Sequence, residues 1–338
     1  MKRILKVIFN IVAALFFIVI GFYFWASSPN LSPKDYNQTG QYEVTSTISN
    51  DSIHSIVSYN IGYLSGMTNN LPLDRPKSLF DQNLNKVIYE LKKVDADFIA
   101  LQEIDYNSSR SHKVNQQNEL ARLGYPYYGQ NINWDKKYVP FPYYPISRQF
   151  GQVLSGQSVL SKYPIFDQER IELKRNADNP FYYDSFYIDR LAQVTKIKIL
   201  EQKLILINVH LEAYDVKTRK LQMQQVKNIY LKYYKKHPVI LLGDFNSDIN
   251  FDEAGIQVFL KLPNTGCAAF DPATRQNTFS SASPTERLDY IFYNKKFINE
   301  IDAQILTQFD LASDHLPLLM KFKLKDQLYA TSRQQSTP

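Results

Sequence analysis

The sequence predicts a mixed α/β domain with one large core, set behind a single N-terminal membrane-spanning helix. Three observations carry this. Strand-like apolar runs alternate with helical ones in an order that fits neither a Rossmann nor a barrel pattern. Several of those runs close on a polar residue, as strands do where side chains converge at one edge of a sheet sandwich. Residues 7–26 form an apolar stretch without a polar face. With 338 residues, 44% hydrophobic and 21% charged, the chain is long and apolar enough to bury a full core. No glycine-rich phosphate loop and no internal repeat is visible.

From the N-terminus, Lys2, Arg3 and Lys6 make residues 1–6 a basic flank. Residues 7–26 are long enough to cross a bilayer as a helix and exceed the apolar region of a usual signal peptide. Tyr23 and Trp25 fall where an interfacial aromatic belt is expected. The preceding positive charges place the N-terminus in the cytoplasm and the rest of the chain outside it, as a single-pass membrane protein. A signal peptide cleaved at Ala26–Ser27 and a buried core helix are the alternatives. Residues 27–52, rich in Ser, Thr, Asn, Gln and Pro, read as a tether that lifts the domain off the membrane. Residues 53–325 form the domain, and 326–338 a disordered tail.

Within the domain, Ile56 to Ile61 reads as a strand ending in the amide of Asn60, and Asp97 to Glu103 as a strand ending in a carboxylate. Between them, Asn85 to Lys93 carries Val87, Ile88 and Leu91 at helical spacing. Tyr125 to Phe150 interleaves nine aromatic residues with Pro126, Pro140, Pro142 and Pro145, which predicts a long structured loop. Phe181, Tyr182, Tyr183, Phe186 and Tyr187 form a second aromatic group. These rings pack on themselves or make a rim that stacks on sugars or bases or dips into lipid headgroups. Thr218 to Tyr234 reads as a helix before the Val239 strand, and Arg287–Tyr293, Ala303–Gln308 and Leu316–Leu324 as strands. The single cysteine, Cys267, excludes an intramolecular disulfide and a cysteine-rich zinc site.

The polar strand ends carry the chemistry. Asn208-Val209-His210, Asp244-Phe245-Asn246 and Asp314-His315 follow in order, after Asn60 and Glu103. Each alone has an ordinary explanation, as a satisfied rim histidine or a set of turn formers. Turn chemistry does not explain five such clusters in series. Phosphoester hydrolysis does, because an anionic substrate repels a nucleophile. The site must neutralise phosphate oxygens with a hard cation, orient a water in line and stabilise the leaving oxygen. Carboxylate and amide oxygens suit the cation, and histidines titrate near neutrality.

The ordered series Ser58-Tyr59-Asn60, Leu101-Gln102-Glu103, Gly156 to Pro164, Asn208-Val209-His210-Leu211, Gly243-Asp244-Phe245-Asn246, Arg287-Leu288-Asp289-Tyr290 and Ser313-Asp314-His315 resembles the endonuclease/exonuclease/phosphatase family. That family includes deoxyribonucleases, apurinic-site nucleases, neutral sphingomyelinases and inositol polyphosphate 5-phosphatases. The resemblance implies a four-layer α/β/β/α sandwich of two mixed sheets for the catalytic domain, 53–325. It also implies that Asn60, Glu103 and Asp314 hold the metal, Glu103 most directly, and that Asp244 and Asn246 orient water and scissile phosphate. By the same resemblance His315 contacts the phosphate, and Asp289 hydrogen-bonds it and fixes its tautomer. His210 matches the histidine that protonates the leaving group in the deoxyribonuclease and sphingomyelinase branches, and the division of acid and base between the two histidines stays open. Arg190 lies where the family often supplies a phosphate contact. The implied cofactor is Mg²⁺, or Mn²⁺.

The expected function is a metal-dependent phosphoester hydrolase of the phosphodiesterase kind, acting outside the cytoplasm on a phospholipid-type headgroup or other phosphoester. A tethered endonuclease acting on DNA or RNA is the second reading, and a noncatalytic binding module of the same fold the third. The binding module is disfavoured because every catalytic position is filled. The lipid bilayer is a partner through the N-terminal helix, and no protein partner is inferred. A net charge of +6 suits an anionic partner, but Lys2, Arg3 and Lys6 supply part of it. No dense Lys/Arg stripe of a dedicated nucleic-acid binder is present.

Overall fold

The structure, a computed structural model, describes residues 1–46, 48, 52–251, 255–271, 273–274 and 276–325. The tail read as disordered, 326–338, lies outside the described residues. In chain order the elements are α1 (Lys2–Ser27), β1 (Asn37–Gln41), β2 (Ile53–Asn60), α2 (Lys77–Val94), β3 (Phe98–Asp105), α3 (Gln116–Ala121), β4 (Tyr127–Val139), β5 (Gly151–Ser161) and β6 (Ile165–Glu172). They continue with α4 (Phe181–Asp184), β7 (Leu191–Ile199), β8 (Gln202–His210), α5 (Val216–Tyr234), β9 (Val239–Asp244), α6 (Gln257–Leu260), β10 (Thr265–Cys267), β11 (Asp289–Asn294), β12 (Ile298–Ile305) and β13 (Leu318–Leu324). Among the described residues one sheet runs β1-β4-β5-β3-β2-β13-β12 and the other β10-β11-β9-β8-β7-β6. Each mixes orientations, with β2–β3 and β8–β9 parallel within otherwise antiparallel pairings.

Side-chain alternation builds the four layers. Ile56, Phe98, Ala100, Leu204, Leu206, Ile240 and Leu242 point between the sheets. Their neighbours Val57, Ile99 and Leu101 face α2, which buries Phe80, Val87 and Leu91 there. Ile205, Ile207, Val239 and Leu241 face α5, with Met223, Val226 and Tyr230 on its buried side. Strands buried on both faces read as unbroken apolar runs, and this is why their direction in the layers follows from period 2. Asp215 caps α5 by accepting the Thr218 N–H at 2.6 Å. The sandwich expected from the resemblance is therefore the fold.

Two segments differ from the sequence expectation. Half of the predicted loop 125–150 is β4, a strand of 13 residues lying between β1 and β5. Its prolines, Pro126, Pro140, Pro142 and Pro145, bound the strand instead of interrupting it, so no ladder N–H is lost inside. Only 140–150 remains a loop, with Phe141 and Phe150 packed near Trp134.

Within the predicted tether 27–52, residues 28–41 are fastened to the larger sheet. Asn37–Gln41 adds β1 to the edge of the larger sheet, antiparallel to β4. Ahead of it, Asp135 of β4 accepts from the Asn30 N–H and side-chain amide, the Leu31 N–H and the Tyr36 hydroxyl, all at 2.7–3.1 Å. The Lys137 N–H donates to the Ser28 carbonyl at 3.0 Å. The chain leaving α1 is thus fastened to β4 within a few residues. One buried carboxylate organises a stretch whose composition reads as loop.

Helix α1 is long and apolar enough to cross a membrane and lies near the N-terminus. Ala26 is its one buried residue, so it is not a core helix.

Candidate active site

Strand register lines up the reacting groups. In the smaller sheet His210 closes β8 and pairs with Asp244, which closes β9, and Asp244 pairs with Asp289, which opens β11. The three residues therefore stand side by side along one sheet edge. Arg287 fixes the entry to β11 by donating to the carbonyls of Asp289, Ala269, Gln276 and Ala268. From the larger sheet, Asn60 closes β2 beside Gln102 of β3.

Glu103 enters through a bulge. Leu101 pairs with Ser158 and Ile104 with Gly156, so Gln102 and Glu103 face one residue of β5. Glu103 takes φ 51°, which turns its side chain out of the sheet and into the cleft. Just beneath, Gln102 donates to Asn208 Oδ1 at 2.7 Å and Gln157 to the Asn208 carbonyl at 3.0 Å. Asn208 is thus a buried fastener between the sheets, not a cleft residue.

Asp244 is the centre of the cluster. Its Oδ2 accepts from Asn60 Nδ2 at 3.0 Å and lies 3.6 Å from His210 Nε2 and 3.8 Å from His315 Nε2. Its Oδ1 accepts the Asn246 N–H at 2.8 Å. Burial, with Asp289 adding to it and His315 opposing, pushes its carboxyl up to about 7. Asn246, at φ 48°, spends its side-chain amide on the Leu211 carbonyl, so its direct link to Asp244 is through the backbone.

The two histidines are held in opposite states. His315 Nδ1 meets Asp289 Oδ2 at 2.9 Å. Burial works against its charge, but Asp289, Asp244 and Asp314 outweigh it and hold the imidazole well above its usual value. His210 is held well below, by burial first and then by Arg190 and His315. Arg190 Nη1 lies 2.6 Å from His210 Nε2, a pair that works only if the arginine donates to a neutral ring.

Glu103 and Asp314 form the hard-oxygen pair. A single amide, Asn69 Nδ2, reaches Glu103 Oε2 at 2.9 Å and Asp314 Oδ2 at 3.3 Å. Burial and then Asp314 raise the Glu103 carboxyl, the mark of two like charges sharing a site. Gly62 allows this crowding, because at φ +50° a Cβ there would lie 2.8 Å from Asp314 Oδ1. These oxygens fit a hard divalent cation. Asp244, Asp289 and His315 are a second compact donor group, with one atom from each within 4.8 Å of the others. Asn60 lies between the two groups, and its Oδ1 accepts the Gly62 N–H at 3.1 Å.

A family model described as the Endonuclease/Exonuclease/phosphatase family matches residues 57–315, from β2 through His315. The chain belongs to this family. Its members are metal-dependent phosphoester hydrolases. Among curated proteins it is similar to a UPF0294 protein of Vibrio cholerae serotype O1, 32% identical over 126 residues, covering 36% of this chain and 41% of the relative. The match thus spans about two fifths of that relative's length. Among solved structures it is similar to the human Nocturnin catalytic domain with bound sulfate, at TM-score 0.57 and 18% identity, covering 88% of this chain and 100% of that one. A mannosyl-6-phosphatase of Bacteroides thetaiotaomicron gives TM-score 0.55 at 17% identity, covering 81% and 100%. At such identities these two structures show the family's fold.

All nine residues expected at the site, Asn60, Glu103, Arg190, His210, Asp244, Asn246, Asp289, Asp314 and His315, lie in or beside this cleft. The sequence reading missed Asn69, which joins Glu103 to Asp314, and Glu212, whose Oε2 lies 3.6 Å from Arg190 Nε. Tyr187 donates to both Glu212 oxygens, at 2.8 and 3.0 Å. Glu212 had a signal, an acid two residues past His210. Asn69 had none, in a loop without periodicity.

Proposed function

We propose that the chain is a membrane-anchored phosphodiesterase, dependent on Mg²⁺ or Mn²⁺, that hydrolyses a phospholipid-type headgroup outside the cytoplasm. The observation that carries the reading is the convergence of Glu103, Asp314, Asp244, His210 and His315 from both sheets on one cleft. Glu103 and Asp314 would hold the cation, with Asn60 beside them, and the chemistry supplied there would be neutralisation of phosphate oxygens and polarisation of the ester. Asp244, a carboxyl near neutrality fixed by Asn60 and the Asn246 N–H, orients the attacking water and takes its proton. His315, kept charged by Asp289, faces the phosphate, and Arg190 adds a second cation from the other side. His210 stays neutral in the free protein, its Nε2 accepting from the Arg190 guanidinium, and it can take up a proton there only when that contact is released. It becomes a donor to the leaving oxygen only once Arg190 turns from it to the phosphate. Helix α1 supports the membrane location, and the basic flank of Lys2, Arg3 and Lys6 supports the orientation.

The test is a parallel assay of the full chain in detergent on phospholipid vesicles, plasmid DNA, RNA, inositol phosphates and mannose 6-phosphate. Turnover of phospholipid should appear with Mg²⁺ or Mn²⁺ and fall by about 10³-fold or more in excess chelator. Nicking of plasmid without lipid turnover would replace the headgroup by nucleic acid. Inertness on all substrates would leave the binding module standing. Orientation is tested separately, by adding protease to spheroplasts. Digestion of the chain beyond Ser27 is expected, and full protection until lysis would reverse the topology.

A further inference from the structure

A cavity of about 730 Å³ opens onto the cleft, within the range of small-molecule sites. Its floor holds Glu103, Arg190 and His210, and its walls include the rings of Phe141, Tyr183 and Phe186. One wall residue, Tyr23, comes from the last turns of α1. The Tyr23 ring packs edge-on against Phe181 and Phe186, at 6.1 and 5.8 Å between centroids, and its hydroxyl pairs with Ser185 Oγ at 2.6 Å. Beside it Phe22 and Trp25 pack on Tyr138 of β4.

With α1 as the membrane anchor proposed above, on which this inference also rests, the geometry places the cavity relative to the bilayer. Helix α1 has 26 residues, about 39 Å at 1.5 Å per residue, against a hydrocarbon core of about 30 Å. Its last turns therefore emerge at the headgroup level, where Tyr and Trp side chains are favoured. Since those same turns form a cavity wall, the cavity mouth lies at the bilayer surface. Exposed Phe24, Tyr143, Phe181 and Tyr182 surround it.

We infer that this aromatic cavity is a subsite for the apolar chain of an amphiphilic phosphoester drawn from the membrane, with Tyr23 of the anchor helix as a specificity-determining wall. The inference rests on the phosphoesterase reading above and names what that site selects. The cavity's charged groups named above lie on its floor, where the phosphate would sit, and its walls are mostly aromatic rings, with Val139, Pro140 and Ile188 among them. An apolar substituent gains from entering such walls by the area it removes from water, about fourfold in affinity for each methylene buried. A small hydrophilic ester gains nothing there.

The experiment uses the full chain in detergent micelles with Mg²⁺ and three phosphodiesters that share a p-nitrophenolate leaving group: the methyl, dodecyl and thymidine-5′ esters. The dodecyl ester is expected to exceed the methyl ester in kcat/KM by about 100-fold or more. Tyr23→Ser should cut that ratio at least about tenfold, while Tyr23→Phe, which keeps the ring and loses only the Ser185 hydrogen bond, should retain it. Partitioning of long chains into micelles would raise the ratio equally in all three proteins. Equal rates on the methyl and dodecyl esters, or a ratio indifferent to Tyr23→Ser, would overturn the inference and leave the phosphoesterase reading intact. Preference for the thymidine ester that depends on Tyr23 would reassign the cavity to a nucleobase. Absence of Mg²⁺-dependent release from every ester would remove the phosphoesterase reading itself.

Discussion

Replacing Glu103 by glutamine is expected to abolish turnover and, in metal-free protein, to raise the melting temperature. The two effects have one cause. Glu103 and Asp314 are packed against a single Asn69 amide, and burial followed by Asp314 raises the Glu103 carboxyl. A carboxyl whose folded pKa lies above its unfolded value begins to cost stability as pH rises past the unfolded value, costs the full amount above the folded value, and costs none below both. Glutamine keeps the shape and the acceptor for Asn69, and keeps a residue at the φ 51° bulge position, but removes the repulsion. Metal-free stability should rise by about 1–3 kcal/mol. With Mg²⁺ the order reverses. Wild type should gain about 2.7 kcal/mol at a hundredfold excess over its dissociation constant, and Glu103→Gln should gain much less. Turnover should fall by about 10³-fold or more. Thermal melts with and without Mg²⁺, beside the p-nitrophenyl ester assay, check both. An unchanged Mg²⁺ response in the variant would show that Glu103 does not hold the cation.

The parts of this site that were legible in the sequence are those that strand geometry delivers by itself. A buried strand shows as an apolar run, and the polar residue that ends it must stand at the sheet edge. This placed Asn60, His210 and Asp244 before any tertiary contact was known. The pairing of Asp289 with Asp244 needs strand order, which the sequence carries only through its resemblance to the family. Glu103 was legible as an acid at a strand end, but the strand runs on to Asp105, and the cleft position comes from a bulge whose partner, Gln157, lies over fifty residues away.

What stayed illegible depends on distant partners. Residues 27–41 have the composition of a linker, and Asp135 organises their first part from about a hundred residues downstream. Without that carboxylate, local propensity would leave the segment open. The same holds for β4, where proline density suggested a loop because proline position relative to the ladder was unknown. Tyr23 read as a membrane-interface residue and is also a cavity wall, a second role that only the docking of α1 on β4 and the 181–187 segment reveals.

Asp289→Asn is expected to slow turnover by about 10²-fold or more and to change the shape of the pH profile. Asp289 touches no substrate in this arrangement. It acts through His315, whose Nδ1 it meets at 2.9 Å, and it is the leading charge that keeps that imidazole protonated in a buried place. Asparagine preserves the size and one acceptor but not the charge, so burial should win and the His315 pKa should drop. The sign follows directly. If the charged ring is the form that binds phosphate, wild-type activity should hold above neutrality, where the Asp244 carboxyl is ionised as well, and the variant should lose activity there, so that its profile narrows from the alkaline side. A purely structural role would lower activity evenly at all pH values and depress the melting temperature. The decisive measurement is kcat/KM of both proteins on the dodecyl ester across the neutral range, with thermal melts at each pH. A variant with a lowered but parallel profile would mean that His315 does not act as a cation, and the phosphate contact would then fall to Arg190 alone.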